Sequence, residues 1–221
     1  MTTCSETSPR LQGIGACPPS KWTSQFMRPS GWRGQFVGHL MAAKNAAMNR
    51  LAVELLNVEP DDHILEIGIG PGIAIAMAAA HMISGLIHGV DVSDVMLRQA
   101  RRRNSQLIKD GRVEIKWGSV LQLPYPDSLF DKAFAVNNFH IWSDQEAALG
   151  EIRRVLKEGG ILLLPLRHKH PTRRWFVPPG FTEHEIDQVL RLLDRADFKN
   201  IRTQVYSVDQ GVTCVFGQRV Q

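Results

Sequence analysis

The chain has 221 residues and is 43% hydrophobic, which is enough to bury one substantial core, and no apolar run reaches the length of a membrane span. A net charge of +4 excludes a strongly polyanionic or polycationic chain. Three scattered cysteines (Cys4, Cys17, Cys214) exclude a disulfide scaffold, show no metal-ligand spacing and suit a reducing cytoplasm.

Residues 1–35 are polar and rich in Pro, Ser and Gly, so a flexible arm is expected ahead of one domain spanning 36–221. Residues 1–50 carry six Lys or Arg against Glu6 alone. A basic segment of this kind suits an anionic substrate, a lipid surface or a nucleic acid, and equally a set of solvated charges. From Phe36 to Asn57, the spacing of Leu40, Ala43, Ala47, Leu51 and Leu55 predicts a helix. Strands and helices then alternate. Strands are expected near 63–67, 86–91, 112–117, 131–137, 161–166, 201–208 and 211–219, and helices near 72–82, 94–108, 144–156 and 183–195. That order predicts a doubly wound α/β domain with a mostly parallel sheet. Only Asp209-Gln210-Gly211 separates the last two strands, so they should run antiparallel. Capping boxes are read at Ser143 with Glu146 and at Thr182 with Glu185, and Gly159 or Gly160 is read as a left-handed helix C-cap.

The most informative segment is Leu65-Glu66-Ile67-Gly68-Ile69-Gly70-Pro71-Gly72. An apolar strand ends in an acidic residue, three glycines alternate, and an apolar helix pattern follows. Glycine admits positive φ and close approach of a ligand to bare backbone. A helix start offers N–H donors to a ligand oxygen. A dinucleotide fingerprint would place glycine at position 73, where this chain has Ile73. Taken alone, the segment fits a methyl-donor site, another nucleotide site or a turn that is merely tight. Asp91, 25 residues beyond Glu66, closes the second strand and can accept hydrogen bonds from ribose hydroxyls; a helix-start carboxylate is the plainer alternative.

In order, the chain shows Glu66-x-Gly68-x-Gly70-x-Gly72, Asp91, Gly118-Ser119 running through Leu123-Pro124-Tyr125 to Phe130-Asp131, and Lys157-Glu158-Gly159-Gly160 before an apolar strand. This series resembles class I S-adenosylmethionine-dependent methyltransferases. Over residues 45–165 it looks most like the small methyltransferases grouped with ubiquinone and menaquinone biosynthesis. The resemblance implies a Rossmann-like, seven-stranded sheet with an antiparallel last strand, and S-adenosyl-L-methionine as cofactor. It implies that Glu66, Gly68, Gly70, Gly72 and Asp91 face the cofactor, with Val92 and Met96 around the adenine and Asn137 at the methionine end. Ser119 and Val120 would flank the adenine. The family often has aspartate where this chain has Ser119, whose hydroxyl could accept the same bond.

For the acceptor side the expected base is His140, in a segment leaving the C-terminal end of the fourth strand; the alternative is a histidine that only shapes the pocket. Trp142 is read either as acceptor wall or as core. His168 and His170 lack a carboxylate or cysteine at ligand spacing, so no metal is expected. Asn137-Asn138-Phe139-His140 has no proline pair of the kind that holds a flipped base, and no added recognition domain is present in the pattern, which argues against nucleic acid. The expectation is methyl transfer to a small organic acceptor, closed in by the N-terminal segment and the Arg167–Gly180 loop. The alternatives are a fold retained for binding or assembly, and a quinone or phospholipid methyltransferase touching a membrane surface through its basic segment.

Overall fold

The computed structural model describes residues 45–169, 180–208 and 211–221. The arm at 1–35, the first part of the helix expected from Phe36, His170, and residues 170–179 of the Arg167–Gly180 loop lie outside the described residues. In chain order the elements are α1 (Ala46–Leu56), β1 (His63–Ile67), α2 (Ile73–Ala79), β2 (Leu86–Asp91), α3 (Asp94–Arg103), α4 (Ser105–Lys109) and β3 (Val113–Trp117). There follow β4 (Phe130–Phe134), a 3-10 turn (Phe139–Ile141), α5 (Gln145–Val155), β5 (Leu156–Arg167), α6 (Glu183–Arg195), β6 (Phe198–Tyr206) and β7 (Val212–Arg219).

The seven strands form one sheet in the order β3-β2-β1-β4-β5-β7-β6. β1 to β5 pair in parallel, and β7 lies antiparallel between β5 and β6. The expected doubly wound α/β architecture with a reversed last strand is therefore present. One apolar cluster joins α1, α2 and α3 to the sheet through Met48, Ala52, Ile64, Ile75, Leu97 and Phe134. The other joins α5 and α6 to the opposite face through Leu65, Phe130, Leu149, Ile152, Val189 and Leu193. Each of the larger of these buried side chains contributes about 1.5–3 kcal/mol of transfer free energy, opposed by the entropy of ordering the chain.

Local chemistry sets the element ends. At α6, Thr182 accepts from the Glu185 N–H while the Glu185 carboxylate accepts from the Thr182 N–H at 2.7 Å, the reciprocal box expected there. α5 differs. Asp144 rather than Ser143 is its N-cap, and the Asp144 carboxylate accepts from the Ala147 N–H at 2.9 Å. A carboxylate one residue nearer the helix displaces the serine. The glycine pair is not a helix cap. α5 already ends at Val155, Leu156 is extended and pairs with Phe130, and Gly159 (φ 80°) lies in the irregular opening of β5.

The helix expected at 94–108 is broken at Asn104, whose buried side-chain amide donates to the Gly72 carbonyl at 3.0 Å and the Ala100 carbonyl at 2.9 Å. An amide side chain that competes for backbone partners interrupts the helical ladder. Here the break ties α3 to the glycine turn. The fourth strand stops at Phe134, short of the expected 137, and the chain turns at Asn137, which adopts a left-handed φ of 55°. No helix connects β3 to β4. Tyr125 from that connection packs edge-on to His88 and Phe130, with ring centroids 5.1 and 5.0 Å away.

Below the sheet, the buried Lys132 ammonium donates to the Asp62 carboxylate and the Asn57 carbonyl, both at 2.6 Å. The pair ties the α1–β1 connection to β4. Removing one partner strands the other charge in the core. Lys132→Ala should therefore lower the unfolding free energy by about 3–5 kcal/mol, read from urea denaturation. A loss below about 1 kcal/mol would mean that water replaces the lysine.

Candidate cofactor and acceptor site

β1 is flanked by β2 on one side and β4 on the other, so the chain reverses its winding between β1 and β4. Open α/β sheets form a crevice at such a switch point, beyond the C-terminal ends of the strands. The glycine turn after β1 lies there. Gly68, Gly70 and Gly72 have φ of 68°, 51° and 73°, a region that disfavours side chains. Space differs along the turn. A Cβ on Gly68 would sit 2.2 Å from Asn138 Nδ2, whereas a Cβ on Gly70 would meet nothing within 4 Å. Backbone at Gly70 thus faces open space, as a ligand-binding turn requires.

Two carboxylates hold the turn, the half-buried Asp91 and the buried Glu66. Asp91 accepts from the Gly70 N–H at 3.0 Å through Oδ2 and from the Ser93 N–H at 2.8 Å through Oδ1. Burial raises the Asp91 pKa, while the Ser93, Gly70 and Val92 N–H groups partly offset that rise. Glu66 is more deeply buried. Burial pushes its carboxyl well above the usual range, the nearby Asp91 pushes the same way, and the Ile75 N–H opposes both. Its Oε2 has no hydrogen-bond partner among the described residues. Glu66 therefore takes an N–H of the α2 start that the sequence pattern had left for a ligand.

The other expected cofactor positions converge on the same rim. Val92 is half-buried at the β2–α3 turn. Met96 is 1% exposed, so its side chain packs under that turn, and its N–H donates to the Ser93 hydroxyl at 3.4 Å. The Ser119 hydroxyl accepts from the Leu121 N–H at 3.2 Å, and Val120 is half-buried against the second core cluster. Gly118 donates its N–H to the Asp91 carbonyl at 3.2 Å, drawing the 118–120 loop against β2.

The β4 end supplies a residue the sequence pattern passed over. Asn138, not Asn137, lies under the turn: its buried side-chain amide donates to the Ile67 carbonyl at 2.5 Å, and its Oδ1 has no partner among the described residues. Asn137 points elsewhere, donating at 3.5 Å to the Asn45 side-chain oxygen. That same oxygen accepts from Arg167 Nη2 at 3.1 Å, so α1, the β4 loop and the end of β5 meet there. Arg167 is buried and also touches the Met48 sulfur. Sequence reading marked Arg167 only as the edge of a loop. An arginine that ends an otherwise apolar strand was the available signal.

His140 lies against the edge of Phe181. Burial pushes its imidazole pKa down to about 4, and the Arg167 charge pushes it further the same way. Its Nδ1 is buried with no partner among the described residues. Trp142 packs on Phe139 and on the second core cluster. His168 is hydrogen-bonded to the Thr213 hydroxyl at 2.7 Å. Among the described residues, no three His, Cys, Asp or Glu side chains converge as metal ligands.

Residues 64–160 match the methyltransferase domain family. The uncharacterised methyltransferase YdaC of Bacillus subtilis is 38% identical over 123 residues, which make up 56% of this chain and 66% of that protein. Relatives from Pyrenophora dematioidea and Streptomyces fradiae are covered over 44% and 45% of their lengths, so the chain spans less than two thirds of each of these curated relatives. A methyltransferase structure from Aquifex aeolicus, dependent on S-adenosylmethionine, superposes with a TM-score of 0.67 at 21% identity, covering 81% of this chain and 93% of that one. The cyclase SpnF superposes with the same TM-score of 0.67 at 21% identity, covering 81% and 82%. These matches make residues 64–160 similar to methyltransferase domains, and the superpositions show a fold shared with an S-adenosylmethionine-dependent methyltransferase.

The residues present fit the cofactor of that family: open backbone at Gly70, a hydrogen-bonded carboxylate at Asp91 and an orphaned carboxylate oxygen at Glu66. Gly70→Ala separates fold from binding. Its Cβ meets no protein atom, so only the left-handed φ is strained, at a cost of about 1–2 kcal/mol. The variant should stay folded by circular dichroism yet bind S-adenosylhomocysteine more than tenfold more weakly by calorimetry. Unchanged affinity would mean that no ligand approaches this turn.

Proposed function

We propose that the chain transfers a methyl group from S-adenosylmethionine to a small organic acceptor. One observation carries this reading: a glycine turn with open space at Gly70 is hydrogen-bonded to the carboxylate that ends the next strand. Gly68, Gly70 and Gly72 would lie along the methionine side of the cofactor. Asp91 would take the ribose hydroxyls, with Val92, Ser119 and Val120 around the adenine. Met96 would support Val92 from beneath. Glu66 and Asn138 would hold the turn and offer acceptor oxygens toward the amino acid end, and Asn137 would join them there after a side-chain rotation.

When bound, the cofactor supplies a methyl group already activated by its sulfonium charge. The protein's part is to hold a nucleophile in line with that methyl and to keep water away. Orientation alone is worth about 7–11 kcal/mol in favourable intramolecular cases. His140 is the candidate base. With its pKa near 4 it is neutral at pH 7 and free to accept a proton from the acceptor. The Arg167 charge that helps keep it neutral would also stabilise an anion left on the acceptor.

A soluble cytoplasmic enzyme is the setting we propose, with nucleic acid outside its substrate range. No helix of the described residues is long and apolar enough to cross a membrane. The six basic residues of 1–50 keep one other version in play, a quinone or phospholipid acceptor reached at a membrane surface. Co-sedimentation with anionic vesicles at low salt supports that version, and its absence removes it.

Calorimetric titration with S-adenosylmethionine tests the central reading: saturable binding is expected, and none at millimolar donor would favour a fold kept for assembly. If His140 is the base, His140→Ala should lower kcat by about 10²-fold or more. The sign of the pH dependence follows from the depressed pKa. Imidazole stays unprotonated above pH 4, so the acidic limb of kcat should fall near pH 4 and not near the ordinary 6.5. An unchanged rate in the alanine variant would leave His140 as pocket wall.

A further inference from the structure

Trp117 closes β3 with 57% of its surface exposed. Other large exposed apolar side chains, such as Ile83 and Val205, stand on a surface turn and on the outer strand β6, away from the crevice. Trp117 does not. In the β2–β3 pairing its register partner is Asp91, the carboxylate at the centre of the proposed cofactor site. Paired residues of neighbouring strands project to the same face of a sheet, so the indole and that carboxylate share the face that carries α3.

The indole is tethered there. Its Nε1–H donates to the Val92 carbonyl at 3.2 Å. The peptide held in this way lies inside a short, fully engaged turn. The Val92 and Ser93 N–H groups both donate to the Asp91 carboxylate, and Ser93 in turn caps α3 by accepting from the Met96 N–H. A carbonyl turned away from this bond would rotate the 92–93 peptide and pull an N–H from Asp91. An exposed aromatic ring gains little from its own burial, so its worth lies in what it holds.

We infer that Trp117 is a positioning residue for the cofactor: its indole N–H fixes the Asp91–Val92–Ser93 turn from the outer side, and its ring forms the solvent edge of the crevice. The inference rests on the cofactor placement proposed above. It predicts that Trp117 contributes to cofactor affinity without contributing much to folding, since exposed side chains away from packed sites change stability little.

S-adenosylhomocysteine is the probe, titrated into the full-length wild type, Trp117→Phe and Trp117→Ala. The phenylalanine variant keeps the apolar ring and removes only the N–H donor. Its Kd should rise about tenfold, the worth of one lost hydrogen bond, while its melting temperature stays close to that of the wild type. Alanine should weaken binding further. Ligand should also shield one tryptophan of the wild type from iodide quenching, and that protection should vanish in Trp117→Phe. Because the chain has five tryptophans, the comparison of wild type with Trp117→Phe assigns the protected ring to Trp117. Equal affinity in wild type and Trp117→Phe, or an iodide response that ligand leaves unchanged, overturns the inference while the proposed function stands. A wild type that binds no S-adenosylhomocysteine overturns both.

Discussion

The site depends on one carboxylate shared between two turns. Asp91 accepts an N–H from the glycine turn after β1 and another from the turn after β2. These bonds fix the distance between the first two strand ends, and the left-handed glycines are what let the Gly70 N–H reach it. An ionised carboxylate in so enclosed a place is costly unless N–H donors face it, and here backbone supplies them. Glu66 has a harder position, with a single backbone donor and a second acid nearby. Two acids held above their usual range in one crevice favour a ligand that brings positive charge, because a cation stabilises their ionised forms. A sulfonium with an ammonium group answers that description.

Much of this was legible in the sequence. Period and glycine placement gave β1, the turn and α2, and the distance to Asp91 followed from one strand–helix–strand unit. The reversal of β7 was visible because Asp209-Gln210-Gly211 leaves no room for a crossover helix. What stayed hidden were contacts between residues far apart in the chain. Asn138 bonds a carbonyl 71 residues earlier, and nothing in Asn137-Asn138 says which amide turns inward. Asn45 and Arg167 are 122 residues apart and meet only because α1 crosses the end of β5. Element ends failed for a different reason. Ser143 and Asp144 are both good caps, and Asn104 breaks a helix only because the Gly72 carbonyl lies within its reach.

The two depressed histidines show how one cause serves two ends. Burial lowers both His88 and His140 to about 4. At His88 the Glu114 carboxylate opposes that shift through a 2.9 Å contact, and Tyr125 and Phe130 enclose the ring. This is how the sheet closes where no helix joins β3 to β4. At His140 the neighbouring charge has the other sign, and Arg167 adds to the shift. A neutral imidazole beside a guanidinium is poorly suited to storing a proton and well suited to passing one on.

The two halves of the crevice are built differently, and the difference decides what each can specify. On the proposed cofactor side the groups are main-chain N–H donors of the glycine turn and two acids, Glu66 and Asp91, set by β1 and β2. On the proposed acceptor side Asn45, Asn137, His140 and Arg167 come from the start of α1, the loop after β4 and the end of β5. A fold divided in this way can keep its nucleotide half while its chemistry changes, which agrees with the close superposition of a cyclase on this chain. In the proposed site, the buried Arg167 beside the neutral His140 would favour acceptors that gain negative charge as they react.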